Sequence, residues 1–384
     1  MYRRRSGLIR LGSCALILAL VGLSVACTQE AEDTSRQRAA PPDAADDENS
    51  PPLNDDDAAD DDSTCPNEYC IEEKEDLGST AGCQTMFEAC ECVDSYLDFV
   101  DIAADQATPI TEEELQQEID EAVSVPPLTE PLPADELRQA ILEATNIGFL
   151  LDGINDRLLQ VTTIRHDETE DYEEREVLFE DGYVGVFKAI LLTPKTAGPH
   201  PAVIALHGHT SSPEDFRDAF HGREYPARGL AILMLQLRAL CGPPHEDEVT
   251  RAMLLNGFVF VGLQVYETLL GLKYLLYLSD IDDDRIGLIG HSGGSVVSNL
   301  TVRIEPKIRA YVSDLQKNYV EESTDVQYYL YHETVPGLWI YNELINDLGS
   351  SATPILAVPY GYTNGMSEIF AFFDEQLQQA TLVR

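Results

Sequence analysis

Gly290-His291-Ser292-Gly293-Gly294, directly behind the apolar run Arg285-Ile286-Gly287-Leu288-Ile289, is the stretch that decides the fold. Glycines two residues either side of a serine are typical of a strand that turns sharply into a helix, because they let the strained turn clear the neighbouring backbone. The apolar run predicts that strand, and residues 295–300 predict the helix. The Ser292 hydroxyl is then exposed at the end of a strand. A glycine-rich strand end with an idle serine is the alternative.

Short apolar runs alternate with helical stretches on both sides of this motif, from about residue 172 onward. Strands are predicted at residues 175–179, 184–192, 201–206, 231–235, 285–289, 308–312 and 354–358, with a hairpin-like pair leading into parallel strands. Helices are predicted near residues 215–227, 257–278, 294–302 and 366–379. This alternation predicts an α/β fold with a mostly parallel sheet.

A second motif, His207-Gly208-His209, follows the apolar run 201–206 upstream of the serine. With the run Asp282-Asp283-Asp284-Arg285-Ile286-Gly287-Leu288-Ile289 before the serine motif, the chain over about residues 172–379 resembles the α/β-hydrolase superfamily. The likeness is to its acetyl xylan esterase-like, dienelactone hydrolase-like and prolyl oligopeptidase-like members. The resemblance implies ester hydrolysis by Ser292. It also implies an oxyanion hole made by the N–H of Gly293 and an N–H of the Gly208–His209 loop.

The base and the acid that a serine nucleophile needs are harder to find in this sequence. After Ser292 the only histidine is His332, which is therefore the candidate base. In the family the acid follows a late strand and the histidine comes last. Residues 354–364 are similar to the segment that carries the acid, which puts Asn364 at the acid position. Asp314, after the 308–312 strand, is an alternative partner for His332.

The chain ends at Arg384, where the family has a further strand and a histidine loop, so we expect both to be missing and the triad to be incomplete. A missing C-terminal part, a pseudoenzyme and an unusual His332 arrangement all remain open. Two functions follow as hypotheses: a serine hydrolase of carboxylic esters, or a catalytically impaired hydrolase-fold binding or scaffold module. A peptidase is a weaker third. His291 is expected to pack and hydrogen-bond, and no motif calls for a metal or organic cofactor.

Residues 1–27 predict an export signal, because a basic head is followed by an apolar run at 11–26 that is shorter than the ~20 residues a bilayer span needs. Leu23-Ser24-Val25-Ala26-Cys27 resembles the lipobox of bacterial lipoproteins, which implies a lipid on Cys27. Simple cleavage with a free Cys27 is the alternative. We therefore expect a protein anchored by lipid in the bacterial cell envelope, periplasmic or surface-exposed.

Four further segments follow the signal. Residues 28–63 are nearly all Asp, Ala, Pro and Glu and predict a disordered, self-repelling tether. Residues 64–104 form a cysteine-rich region that ends in a helix. Residues 105–171 are predicted to be helical, with a capping box at 111–114 and a helix at 134–145. Residues 172–384 form the hydrolase domain.

Charge and cysteine content limit the partners of the protein. The net charge is −43, which excludes nucleic acid as a partner, because phosphate binding needs clustered Lys and Arg. A small-molecule or carbohydrate ester is the expected substrate. The six cysteines beyond the signal and Cys27 predict disulfides in an oxidising compartment; they are Cys65, Cys70, Cys83, Cys90, Cys92 and Cys241. Zinc binding by these cysteines is the alternative, and it lacks a C-x-x-C pair.

Overall fold

The computed structural model describes residues 65, 67–77, 94–240, 245–315, 326–327, 330–347, 349, 351–358 and 362–378. All of these lie within one compact unit, Asp62–Arg384. The predicted export signal, the tether 28–63 and the anchor Cys27 lie outside the described residues, as do Cys83, Cys90, Cys92 and Cys241. Cys65 and Cys70 form a disulfide.

Nine strands of the described chain form one mixed sheet in the order β1-β2-β3-β4-β6-β5-β7-β8-β9. They are β1 Ile71–Glu75, β2 Leu159–Glu168, β3 Tyr172–Asp181, β4 Gly185–Pro194, β5 His200–Leu206, β6 Ala231–Leu235, β7 Ile281–Gly290, β8 Ile308–Ser313 and β9 Ile355–Ala357. Strands β2, β3, β4 and β6 pair antiparallel in turn, and β6, β5, β7, β8 and β9 are parallel. The predicted α/β fold with its mostly parallel sheet is confirmed, and each predicted strand is present.

Two strands were not predicted from the sequence. β2 lies in the stretch expected to be helical and pairs antiparallel with β3, while β1 lies in the cysteine-rich region and pairs parallel with β2. The alternation of buried and half-buried residues in β2 covers only its first half, because its last four residues are exposed. Pairing with β3 stabilises the strand. Its exposed second half carries no alternating pattern that would mark it as a strand in the sequence.

The described helices are α1 Asp94–Ile102, α2 Glu112–Ser124, α3 Ala134–Thr145, α4 Gly148–Leu151, α5 Pro213–Asp218, α6 His245–Leu255, α7 Phe260–Tyr277, α8 Gly293–Ile304, α9 Asn342–Asn346 and α10 Tyr362–Phe373. The predicted capping box is confirmed: Thr111 Oγ1 accepts from the Glu114 N–H at 3.2 Å, and Glu114 accepts from the Thr111 N–H at 2.8 Å.

The single helix predicted near 215–227 is wrong. The chain forms the short α5 and then two 3₁₀ turns, Gly222–Glu224 and Pro226–Arg228. His221 has a φ of +62°, and this left-handed residue ends any helical run. The helix α6 was not predicted.

Two apolar layers cover the faces of the sheet. Residues of β5 and β6 alternate between them: Ile204 and Leu233 face the layer that holds α7 and α8, while Val203 and Ile232 face the layer that holds α10. Strands buried on both faces read as continuous apolar runs, which is why the sequence predicted them well.

No single helix within the described ranges is both long and apolar enough to cross a bilayer; α6 and α7 pass that test only as a pair, with a bend of 100° between them.

Candidate active site

The turn between β7 and α8 has the strained geometry that the motif predicted. Ser292, the residue before α8, has a φ of +48° and a ψ of −120°. A positive φ of this kind costs a residue with a side chain about 1–3 kcal/mol. A Cβ on Gly290 would lie 2.5 Å from the Gly294 carbonyl oxygen, and a Cβ on Gly294 would meet the carbonyl oxygens of Leu206 and His207. Any side chain at either position would therefore clash with backbone atoms, so both residues must be glycine.

The register of the parallel strands brings three loops to the same edge of the sheet. Leu206 at the end of β5 pairs with Gly290 at the end of β7, and Gly290 pairs with Ser313 at the end of β8. The residues that follow these strands are therefore neighbours. A Cβ on Gly208 would lie 2.6 Å from Ser292 Cβ, so this loop packs directly against the serine.

Asp314, directly after β8, holds the turn from one side. Its Oδ1 accepts from the Ser292 N–H at 2.8 Å and from the Ser295 hydroxyl at 3.0 Å. Its Oδ2 is hydrogen-bonded to Nδ1 of His291. The alternative pairing of Asp314 with His332 is therefore wrong, because both oxygens of Asp314 bind the turn itself. His291 hydrogen-bonds as the sequence suggested.

His207 fixes the loop that follows β5. Its Nε2 accepts from the Leu237 N–H at 2.9 Å, so its proton is on Nδ1, which donates to the Gly208 carbonyl at 2.9 Å. Burial lowers the pKa of His207 to about 4, so the ring is neutral near pH 7. In a trans peptide the next N–H points opposite to the carbonyl, so the His209 N–H is turned away from the His207 ring.

Gly293, predicted as an oxyanion-hole residue, is the first residue of α8. The first N–H of a helix has no acceptor within the helix and carries the positive end of the helix dipole. This N–H lies next to the half-buried Ser292. The predicted residues Gly208, His209 and Gly293 are thus together around the serine, and the turn offers at least one donor for an oxyanion.

His332 also lies beside the turn, although it comes from a distant segment of the chain. Its ring is fully buried, and its Nε2 lies 3.0 Å from where a Cβ on Gly293 would be. Its Nδ1 donates to Gln264 Oε1 at 2.6 Å, which leaves a lone pair on Nε2. Nε2 is also 3.0 Å from Glu333 Oε1. That contact is close but not aligned as a hydrogen bond.

His209 and Glu246 complete this side of the site. Nε2 of His209 contacts Glu246 Oε1 at 3.1 Å, and the same oxygen accepts from the His332 N–H at 2.9 Å. The rings of His209 and His332 meet edge to face at 5.1 Å. A Cβ on Gly293 would lie 3.0 Å from His209 Nδ1. Two imidazoles therefore flank the residue after the serine.

Three residues of this site were missed in the sequence: Glu246 on α6, Gln264 on α7 and Glu333. Glu246 and Gln264 carry no motif, and only helix packing brings them to His332. The sequence offered one signal, for Glu333, because this residue directly follows the candidate base His332. Asn364, at the family's acid position, lies in α10, and its side chain is outside the described residues.

No family model matches the sequence. A protein of Bacillus subtilis (strain 168) named as a putative hydrolase, YtaP, is 28% identical over an alignment of 178 residues. The alignment covers 42% of this chain and 60% of that protein. The chain thus spans less than two thirds of the length of this curated relative.

Similar solved structures include acetyl xylan esterases. Acetyl xylan esterase 1 from Thermoanaerobacterium sp. JW/SL YS485 is 16% identical with a TM-score of 0.46, over 70% of this chain and 99% of that chain. Acetyl xylan esterase from Paenibacillus sp. R4 is 12% identical with a TM-score of 0.47, over 70% of this chain and 100% of that chain.

Proposed function

We propose that this protein is a serine hydrolase that cleaves carboxylic esters through Ser292. The observation that carries the proposal is the strained turn at Ser292, with the Gly208 loop packed against it. Strain of this kind persists where the surrounding structure holds it, and it is common at catalytic sites. The sequence similarity to YtaP, a protein named as a hydrolase, is in keeping with hydrolysis.

In the proposed reaction the Ser292 hydroxyl attacks the acyl carbon of the ester, and Nε2 of His332 takes the hydroxyl proton. The Gly293 N–H stabilises the negative oxygen of the tetrahedral intermediate. His332 then returns the proton to the leaving alcohol, and water releases the acyl group from Ser292. The Glu333 carboxylate lies 3.0 Å from this Nε2.

One observation favours the second hypothesis, a catalytically impaired hydrolase fold that binds ligands. Among the described residues, no hydrogen bond joins the Ser292 hydroxyl to a base. Free enzymes often have such loose contacts, which tighten with substrate. An activity measurement therefore has to distinguish the two.

The test compares hydrolysis of p-nitrophenyl acetate by the wild type, Ser292→Ala and Ser124→Ala. Ser124 is an exposed serine at the end of α2 and is the matched control. Loss of the nucleophile should lower kcat/KM by at least about 10³, and Ser124→Ala should leave it unchanged. Equal rates for wild type and Ser292→Ala would leave the impaired fold as the function.

The substrate class we propose is a small-molecule or carbohydrate ester without a negative charge. A net charge of −43 repels anionic ligands at low ionic strength. Matched neutral and carboxylate-bearing esters of one acyl group should differ in KM, with the neutral ester bound better. The difference should shrink as salt is added, because salt screens the repulsion. A better KM for the carboxylated ester would contradict this substrate class.

We further propose that the enzyme is exported and held in the cell envelope by a lipid on Cys27. This rests on the sequence of residues 1–27 alone. In a bacterial host, the wild type should appear in the membrane fraction and Cys27→Ser in the soluble exported fraction. A Cys14→Ser variant, changed within the signal, is the matched control. Equal partition of wild type and Cys27→Ser would reject the anchor.

A further inference from the structure

Four residues on one side of Ser292 place possible metal ligands together. His209, Glu246, His332 and Glu333 each offer one ligand atom, and these atoms all lie within 4.8 Å of one another. We call these four residues the His–Glu cluster. They come from three places in the chain: the loop after β5, helix α6 and the segment after β8. Glu246, His332 and Glu333 are buried, and His209 is half-buried.

The cluster contains buried polar atoms without hydrogen-bond partners. Among the described residues, Nε2 of His332 and Oε2 of Glu333 have none. His332 is fully buried and Glu333 is 8% exposed. A buried polar atom left unpaired costs about 1–3 kcal/mol, so native structures rarely contain two side by side.

The contact between His332 and Glu333 is the most informative one. Because Nδ1 of His332 donates to Gln264, Nε2 presents a lone pair to Glu333 Oε1 at 3.0 Å. Two acceptors at this distance repel unless a positive charge lies between them. The pair is not aligned for a shared proton. Two ligands of one metal ion, each about 2.0–2.2 Å from it, lie about 3–3.6 Å apart, so these two acceptors are close to the spacing at which both could bind one ion.

The charges of the cluster also favour a bound cation. Glu246 and Glu333 bring two carboxylates into a space that water hardly reaches. Two like charges this close repel strongly where solvent screening is weak. One divalent cation would balance both.

We propose that the His–Glu cluster binds one divalent transition-metal ion of the zinc type. The ligands are one imidazole nitrogen each from His209 and His332 and one carboxylate oxygen each from Glu246 and Glu333. Imidazole suits Zn²⁺, whereas Ca²⁺ and Mg²⁺ prefer oxygen ligands. Gln264 orients His332 from behind, as hydrogen-bonded partners of metal ligands commonly do. Metal binding does not require the proposed esterase activity. On the proposed function, the ion and the Ser292 proton compete for one lone pair on His332.

The test is a titration of the full-length protein, stripped of metal with a chelator, with Zn²⁺ in the presence of a chromogenic zinc indicator. Excess Ca²⁺ is included to occupy exposed carboxylates. The wild type should bind one Zn²⁺ per chain. Each of His209→Asn and Glu333→Gln should lower the affinity at least about tenfold, because each removes a ligand. Thermal unfolding of each variant checks that it is folded.

The matched control is Asp283→Asn in Asp282-Asp283-Asp284, an acidic group in which Asp283 and Asp284 are exposed. This variant should bind Zn²⁺ as the wild type does. Ser292→Ala should also keep the affinity, so loss of esterase activity and loss of the metal site can be told apart. The proposal is overturned if no stoichiometric Zn²⁺ binds under excess Ca²⁺, or if folded His209→Asn and Glu333→Gln both keep the wild-type affinity.

Discussion

Two groups of histidines and carboxylates flank Ser292, and they differ in how their polar atoms are satisfied. On one side, both oxygens of Asp314 accept hydrogen bonds, from Ser292, Ser295 and His291. On the other side, the His–Glu cluster holds buried atoms of His332 and Glu333 without partners among the described residues. The difference separates two roles. The satisfied group holds the turn, and the unsatisfied group keeps lone pairs available for a proton or a metal ion.

The largest effect that this comparison predicts is on the rate of ester hydrolysis. His332→Gln removes the proposed base, so kcat should fall by about 10³ or more. His291→Gln changes the satisfied group and should keep kcat within about tenfold. Initial rates on p-nitrophenyl acetate, with folding checked by circular dichroism, measure both. If His291→Gln loses more activity than His332→Gln, the roles of the two sides are reversed.

The next effect concerns His207, a satisfied imidazole under the loop that follows β5. Its pKa is lowered from 6.5 to about 4 by burial. Between these values the unfolded chain binds a proton that the folded protein does not, so stability is present above pH 6.5 and is lost as the pH falls toward 4. The loss should be about 3 kcal/mol from this group.

Urea unfolding of the wild type and of His207→Gln between pH 7 and pH 4 measures this contribution. The difference between the two curves should narrow as the pH falls, because the variant lacks the titrating ring. His166→Gln, which changes a partly exposed histidine in β2, is the control and should follow the wild type. If the free energies of unfolding of wild type and His207→Gln change equally with pH, burial does not lower the pKa of His207 as stated.

The smallest effect predicted is on stability at pH 7. Asp314→Asn removes the charge that three donors share, and it should lower the free energy of unfolding by about 2 kcal/mol. Asp105→Asn removes the same charge at an exposed site and should stay within about 0.5 kcal/mol of the wild type. Denaturant midpoints measure both. An unchanged midpoint for Asp314→Asn would mean that the turn is held by its glycines alone.

The strands and caps that were predicted from the sequence are those that depend on residues close together in the chain. β5, β6 and the second half of β7 are buried on both faces and read as apolar runs. The cap at Thr111 follows from residues three apart. β2 was missed because its last four residues are exposed and pairing with β3 stabilises it. The helix near 215–227 failed because His221 adopts a left-handed conformation that no local pattern marks.

In the candidate site, too, the residues with a local sequence motif were predicted and those placed by helix packing were not. Ser292, Gly208, His209 and Gly293 were found from two motifs, because a turn between strand and helix imposes its own glycine spacing. Glu246, Gln264 and the true partner of Asp314 were not found. Their positions depend on how α6 and α7 pack against the segment around His332, and packing leaves no periodic pattern in the polar residues involved.

By itself the sequence determined the nucleophile turn, the positions of the parallel strands and the loop that faces the serine, since backbone sterics and apolar periodicity act over a few neighbouring residues. The tertiary structure alone decided which carboxylates and imidazoles meet at Ser292. Those contacts join residues far apart in the chain, such as Glu246 and His332, which are 86 positions apart. Their free energy depends on burial, which only the folded chain creates.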